Sequence, residues 1–221
     1  VTYGRNWELN PYHFDLDFSP NPGSESKIFQ TQKSRGQEFR FSSIEGGAWD
    51  WSAGAAYGDS EVQGNTTRSF FSPLPPQFGG GFAPVTTTTD YSLNEESYSL
   101  FGQLTYNGID SIGIHFGLRG DQYDKSLIRS AFGLSGPVPN INESADYSFI
   151  SPRAGIDFEL SDSSLIYVNS GIAYKPGGYS AFIDNPELAQ FNEEQSWTKE
   201  IGLKKRWLDD KVRTNFSIFH N

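Results

Sequence analysis

Cysteine and methionine are both absent from the 221 residues. Without thiols there is no disulfide framework and no thiolate metal site. Without Met, Val1 is not a translation start, so the chain is expected to be processed or a piece of something longer. No secretory leader is expected at its start. No stretch approaches the roughly 18 consecutive apolar residues of a membrane-spanning helix. Positive charge is scarce as well: 17 Lys and Arg stand against 27 Asp and Glu, a net charge of -10. A nucleic-acid partner needs a basic face, so none is expected. The missing hydrophobic run does not exclude a membrane protein. A transmembrane barrel alternates lipid-facing and lumen-facing residues, so its mean hydropathy stays low.

What the chain has in quantity is aromatic side chains and glycine: 18 Phe, 11 Tyr, 5 Trp and 23 Gly. Strands favour aromatics, and barrels use glycine at bends. Segments of strict alternation recur at 1–17 (weak), 37–44, 50–62, 96–107, 111–124, 148–160, 164–175, 197–207 and 212–218. In "SIGIHFGLRGDQYD", Ile112, Ile114, Phe116 and Leu118 oppose His115, Arg119, Asp121 and Tyr123. In the last pair, Ile201, Leu203, Val212, Phe216 and Ile218 oppose Glu200, Lys204, Arg206, Arg213 and Asn215. Period two sustained over so many segments is a strand signal. Most segments match the roughly 9–11 residues that cross a bilayer at a tilt.

The connections sharpen this. "EGGAW", "GID", "SDS" and "LDDK" are short; the stretches at about 19–36, 63–95, 125–147 and 176–195 are long and read as loops. Short and long alternate, as in outer-membrane barrels with tight periplasmic turns and long extracellular loops. Trp49, Trp51, Tyr106, Phe158 and Trp207 lie beside the short turns on the apolar parity. Tyr98, Tyr174 and Trp197 lie near the other ends on that parity. These rows suit two interfacial girdles. The expected fold is all-β: an antiparallel up-and-down transmembrane β-barrel segment, about nine strands of a larger barrel. A soluble β-sandwich with core aromatics is the alternative.

Six blocks carry a resemblance: "QEFRFSS" at 37–43, "SYSLFGQLTYN" at 97–107, "FGLRGDQYD" at 116–124, "SPRAGIDFEL" at 151–160, "YKPGGYSAF" at 174–182 and "EEQSWTKEIGLKKRWLDDKVRTNFSIF" at 193–219. In order and spacing they resemble the barrel of TonB-dependent outer-membrane receptors, over nearly the whole chain. The resemblance implies that residues 1–221 are part of such a barrel, in the outer membrane of a Gram-negative bacterium. It implies ligand-specific, TonB-energised import, most often of a ferric siderophore. Cobalamin, haem or an oligosaccharide remain alternatives, as does a passive porin. The implied partners are the TonB complex, reached through a plug that is not in this chain, the nutrient, and outer-membrane lipid. Such barrels have about 22 strands, so the remaining strands would lie outside this sequence.

No catalytic constellation converges, so an enzyme is not expected, and neither a cofactor nor a metal site is expected. "QFGGGFAP" lacks the Lys-Ser/Thr of a phosphate loop. The charges on the polar parity come in both signs and read mainly as a lattice of ion pairs. Candidates for ligand contact are Arg68, Phe70, Phe71, Phe78, Phe82 and Tyr91, where aromatics and a cation suit stacking on a planar or sugar-like ligand. Arg119 and Tyr123 rise toward the outer mouth, and Lys175 and Tyr179 flank the strand end "YKPGGY". Pro176 and the two glycines that follow it read as a strand stop and turn.

Overall fold

The computed structural model describes the whole chain except residues 16, 17, 19–22, 45, 74–76, 78, 134, 135 and 184. Nine strands form one antiparallel sheet in chain order. They are β1 (Thr2–Asp15), β2 (Ser24–Ser42), β3 (Trp49–Pro73), β4 (Phe82–Ile109), β5 (Ile112–Gly133), β6 (Gly136–Ser161), β7 (Ser164–Lys175), β10 (Glu194–Trp207) and β11 (Val212–His220). Between β7 and β10 lies a compact excursion: β8 (Gly178–Tyr179), one helical turn α1 (Pro186–Ala189) and β9 (Gln190–Phe191). Among the described residues β1 and β11 do not pair with each other, so the sheet has two edges.

The short turns form as the local chemistry requires. At "LDDK", Leu208, Asp209 and Asp210 take φ values of 52, 54 and 65. Asp tolerates this left-handed region better than most residues. The turn brings Trp207 opposite Val212. All four short connections lie at one end of the sheet, hereafter the turn end.

Register keeps each parity on one face. Trp51, Leu104, Phe116 and Ala154 lie side by side across four strands, and Ile156, Val168, Ile201 and Ile218 across the next. This outer face is apolar for the first ten residues or so from the turn end. Its side chains are bare in the isolated chain: Phe116 is 55%, Ile150 65% and Phe216 65% exposed. Ile201, Leu203, Val212, Phe216 and Ile218 share it. Glu200, Lys204, Arg206, Arg213 and Asn215 share the opposite, inner face. Aromatic pairs bound the band. Trp49 packs on Tyr106 at 4.4 Å near the turns, and Tyr57 on Tyr98 at 5.2 Å at the far limit. Lys199 and Lys205 also fall on the outer parity. Each lays its ammonium over a girdle ring, Trp197 at 3.8 Å and Trp207 at 3.9 Å. Long lysine stems allow this at the edge of an apolar band.

Two expectations need correction. The stretches 19–36, 63–95 and 125–147 are not long loops in their described parts. β2 begins at Ser24, and β3 and β4 stay paired from Trp49↔Tyr106 to Pro73↔Phe82. Parts of these stretches, Phe78 among them, lie outside the described residues. The strands run on there with Val62, Tyr91, Leu93, Leu127, Ile141 and Ala145 on one face, and pairing brings these side chains together into a buried cluster. Within 176–195 the described residues leave the sheet from Pro176 to Glu193, and β10 rejoins it at Glu194. Tyr174, expected in the girdle beside Trp197, instead stacks on Phe149 at 4.8 Å. Pairing between β6 and β7 stops at Gly171, so the end of β7 is released from its neighbour.

Beyond the Tyr57–Tyr98 row the polarity of the two faces inverts. Asp59, Glu96, Asp124 and Asp146 now stand side by side on the outer face, and Arg35 pairs with Asp59 at 2.7 Å. The inner face turns apolar and holds the buried core: Tyr91, Leu127 and Ile141, with Val62, Leu93 and Ala145 packed against them. The excursion completes that core with Tyr179, Ala181 and Ala189.

Candidate ligand-binding face

The inner face falls into three levels. Nearest the turns it is a polar lattice. Thr105 Oγ1 lies 3.1 Å from His115 Nδ1, and His115 Nε2 lies 2.8 Å from Asp157. The Tyr167 hydroxyl donates to Glu200 at 2.6 Å, and Arg153 donates to Gln103. Charges here are met largely by neutral groups: among the described residues the contacts between oppositely charged side-chain types at this level are His115–Asp157 and Arg206–Asp210, fewer than the mixed signs in the sequence suggest.

At mid height Phe101 lies between two guanidinium groups, Arg40 at 5.4 Å and Arg119 at 5.7 Å. Its ring lies over Gly54, the residue directly opposite on β3, where a Cβ would come within 2.5 Å of it. Arg119 donates to Asp121 at 2.8 Å and to Ser99 at 2.8 Å. Tyr123 stands beside Phe149 at 6.2 Å, with Lys125 over its ring at 5.8 Å. Arg119 and Tyr123 therefore share the inner face, but Arg119 is already held by a carboxylate.

The third level is built where the excursion folds onto β3–β6. Tyr91 lies flat on Gly64, directly opposite it, and its hydroxyl donates to Gln30 at 2.9 Å. Phe182 meets the Tyr91 ring edge-on at 5.4 Å. Arg129 is 1% exposed and donates to the Ile183 carbonyl. Within the excursion, Ser180 N donates to the Ala189 carbonyl at 2.7 Å, and Asn185 caps α1 by accepting from Glu187 N at 3.1 Å. Gln190 donates to the Tyr147 hydroxyl at 3.4 Å. Burial pushes the Tyr91 phenol up from its ordinary pKa, and does the same to Tyr179.

The sequence candidates thus disperse. Arg68, Phe70, Tyr91 and Tyr179 gather at the third level. Of these, Tyr91 and Tyr179 are buried packing residues that seat the excursion, while Arg68 and Phe70 line a cavity beside Phe182. Phe71 and Phe82 lie on the outer parity, 54% and 71% exposed. Lys175 pairs with Glu194 at 3.3 Å at the root of the excursion. Sequence reasoning missed Thr66, Leu127, Arg129, Ile141 and Phe182. All five sat in stretches taken for loops; for the first four a phase shift in their alternation was the available signal.

Among the described residues no group of His, Asp or Glu is arranged to hold a metal ion. Among the described residues no helix is long and apolar enough to cross a membrane.

The family model for the TonB dependent receptor-like beta-barrel matches residues 1–221. The chain belongs to this family, one of transport receptors in Gram-negative outer membranes. Solved structures agree on the fold. The ferric yersiniabactin uptake receptor FyuA from Yersinia pestis superposes with a TM-score of 0.76 at 18% identity, over 90% of this chain and 30% of that one. The ferric citrate transporter FecA gives 0.57 at 15% identity, over 99% and 33%. FpvA from P. aeruginosa, in complex with a ferric pyoverdine, gives 0.54 at 15%, over 99% and 29%. The chain therefore spans about a third or less of the length of these structures.

Proposed function

We propose that the complete protein imports a ferric siderophore across the outer membrane, drawing energy from TonB. The observation that carries this is the match of the whole chain to the receptor barrel, joined to an inner face that is polar below and folded into a ligand-sized cavity above. In this reading the apolar outer band contacts acyl chains, and the short turns face the periplasm. The excursion and the long strand extensions stand outside the cell, and the nutrient enters from their end. Arg68 and Phe70 meet the ligand first. Arg119 and Tyr123 line its path further in, and Lys175 sits at its margin. Phe71 and Phe82 are the weakest of the candidates because they face away from the lumen. TonB engages through a plug supplied by other parts of the protein.

Iron-limited cells carrying the full-length gene test this. Uptake of radio-iron as a panel of ferric siderophores should depend on the gene and on TonB. Uptake of cobalamin, haem or oligosaccharide in its place would move the substrate assignment. TonB-independent, non-saturable flux would point to a passive pore and overturn the proposal.

A further inference from the structure

We infer that the cavity bounded by Phe182 and the upper ends of β3, β4, β5 and β6 is a recognition subsite for a small molecule bearing a carboxylate or phenolate beside a flat apolar ring. The inference rests on the receptor function proposed above and specifies the chemistry of its ligand. The cavity measures about 630 Å³, within the range of roughly 300–1,000 Å³ typical of small-molecule sites. Thr66, Arg68, Phe70, Thr87, Thr89 and Phe182 line it. Thr66 stands opposite Thr89 and Arg68 opposite Thr87, so three hydroxyls and one guanidinium form a single patch.

Each group is disposed to meet an oxyanion. Arg68 lies over the Phe182 ring at 5.6 Å, and no carboxylate is among the cavity's described lining residues. A guanidinium on a ring face keeps its N–H edge open for charge-assisted hydrogen bonds. Thr66 is 3% exposed and its Oγ1 has no hydrogen-bond partner among the described residues. A buried hydroxyl left unpaired destabilises a fold, and valine of the same shape would remove that cost. A hydroxyl donor beside a cation, without a carboxylate in the lining, selects an anionic oxygen. Phe70 and Phe182 supply the apolar walls, and aromatic faces favour flat partners.

The complete receptor in detergent is titrated with benzoate, and with benzamide as the neutral counterpart, with binding read by saturation-transfer NMR. Benzoate should bind saturably, and benzamide about tenfold more weakly or less. Arg68→Gln, at an exposed position that does not carry the fold, should weaken benzoate by about 10- to 100-fold. Thr66→Val should weaken it by about 3- to 10-fold while raising the thermal stability of the unliganded protein. Absence of saturable benzoate binding would overturn the inference. So would equal affinity of the wild type and Arg68→Gln, or a Thr66→Val variant that is destabilised and binds normally. TonB-dependent uptake that survives alongside any of these results sinks the subsite alone. Wild-type cells that import nothing sink the receptor function instead.

Discussion

Near the turn end, β3 points Trp51, Ala53 and Ala55 outward and Ser52 and Gly54 inward. Further along, the same strand points Asp59, Glu61 and Gln63 outward and Val62 inward. β5 does likewise: Phe116 and Leu118 face out below, Leu127 faces in above. Along β3, β4 and β5 the alternation does not slip where the pattern changes, because their pairing runs without a register shift from Trp49↔Tyr106 and Tyr106↔Ile114 upward. Only the sign of the pattern changes. The simplest physical cause is a change of surroundings. In the lower half the outer face meets an apolar medium and the lumen is wet. In the upper half water reaches the outer face, and the inner face is covered by the excursion. Burial follows whichever face is away from water, and a strand adopts either arrangement with no change in backbone geometry.

Substitutions that set adjacent residues against each other test this contrast. Leu127 is fully buried, and Leu127→Asp places a charge in the upper core at more than about 4 kcal/mol. The excursion should detach, read as a shift of a fluorine label at Phe182. Its sequence neighbour Ile128 points outward and is 55% exposed, so Ile128→Asp should leave the same signal in place. Equal damage from both would mean the faces are wrongly assigned. In the lower half the rule reverses. Leu118→Arg, on the outer band, should cost about 2–4 kcal/mol in lipid, measured by denaturant refolding into bilayers. A neutral result there would remove the case for an acyl-facing band.

A smaller effect concerns how the excursion is seated. Gly64→Val meets the Tyr91 ring, where even a Cβ would come within 2.3 Å. Displacing that ring should cost about 1–3 kcal/mol and move the Phe182 fluorine signal without disturbing the lower half. The smallest effect is alkaline. Tyr91 and Tyr179 pack as neutral phenols, and burial raises their pKa values above the ordinary one. Their contribution is complete below about pH 10 and is lost as pH rises through the raised folded values. The fluorine signal should hold steady up to about pH 9 and shift only above about pH 10. A change in the mildly acidic range would assign the sensitivity to other groups.

The sequence by itself determined the strand class, the short turns and the outer band of the lower half. Ile112, Ile114, Phe116 and Leu118 alternate with polar residues in a medium that stays the same along their length, so pattern alone assigns their faces. It also supplied Arg68 and Phe70 as residues fit to hold a flat, charged ligand. It did not reveal that β2–β6 run on beyond the girdle, because the pattern inverts there and an inverted alternation rich in Thr, Ser and Gly resembles a loop. Nor could local pattern place Tyr91 and Tyr179 in a core instead of at a ligand. The Tyr91 hydroxyl bonds Gln30, 61 residues away, and its ring meets Phe182 on a different branch of the fold. The tertiary structure decided which face the excursion covers, and with it the burial of Arg129 and the cavity walled by Thr66 and Phe182. Burial there depends on contacts between segments far apart in the chain, which no local periodicity encodes.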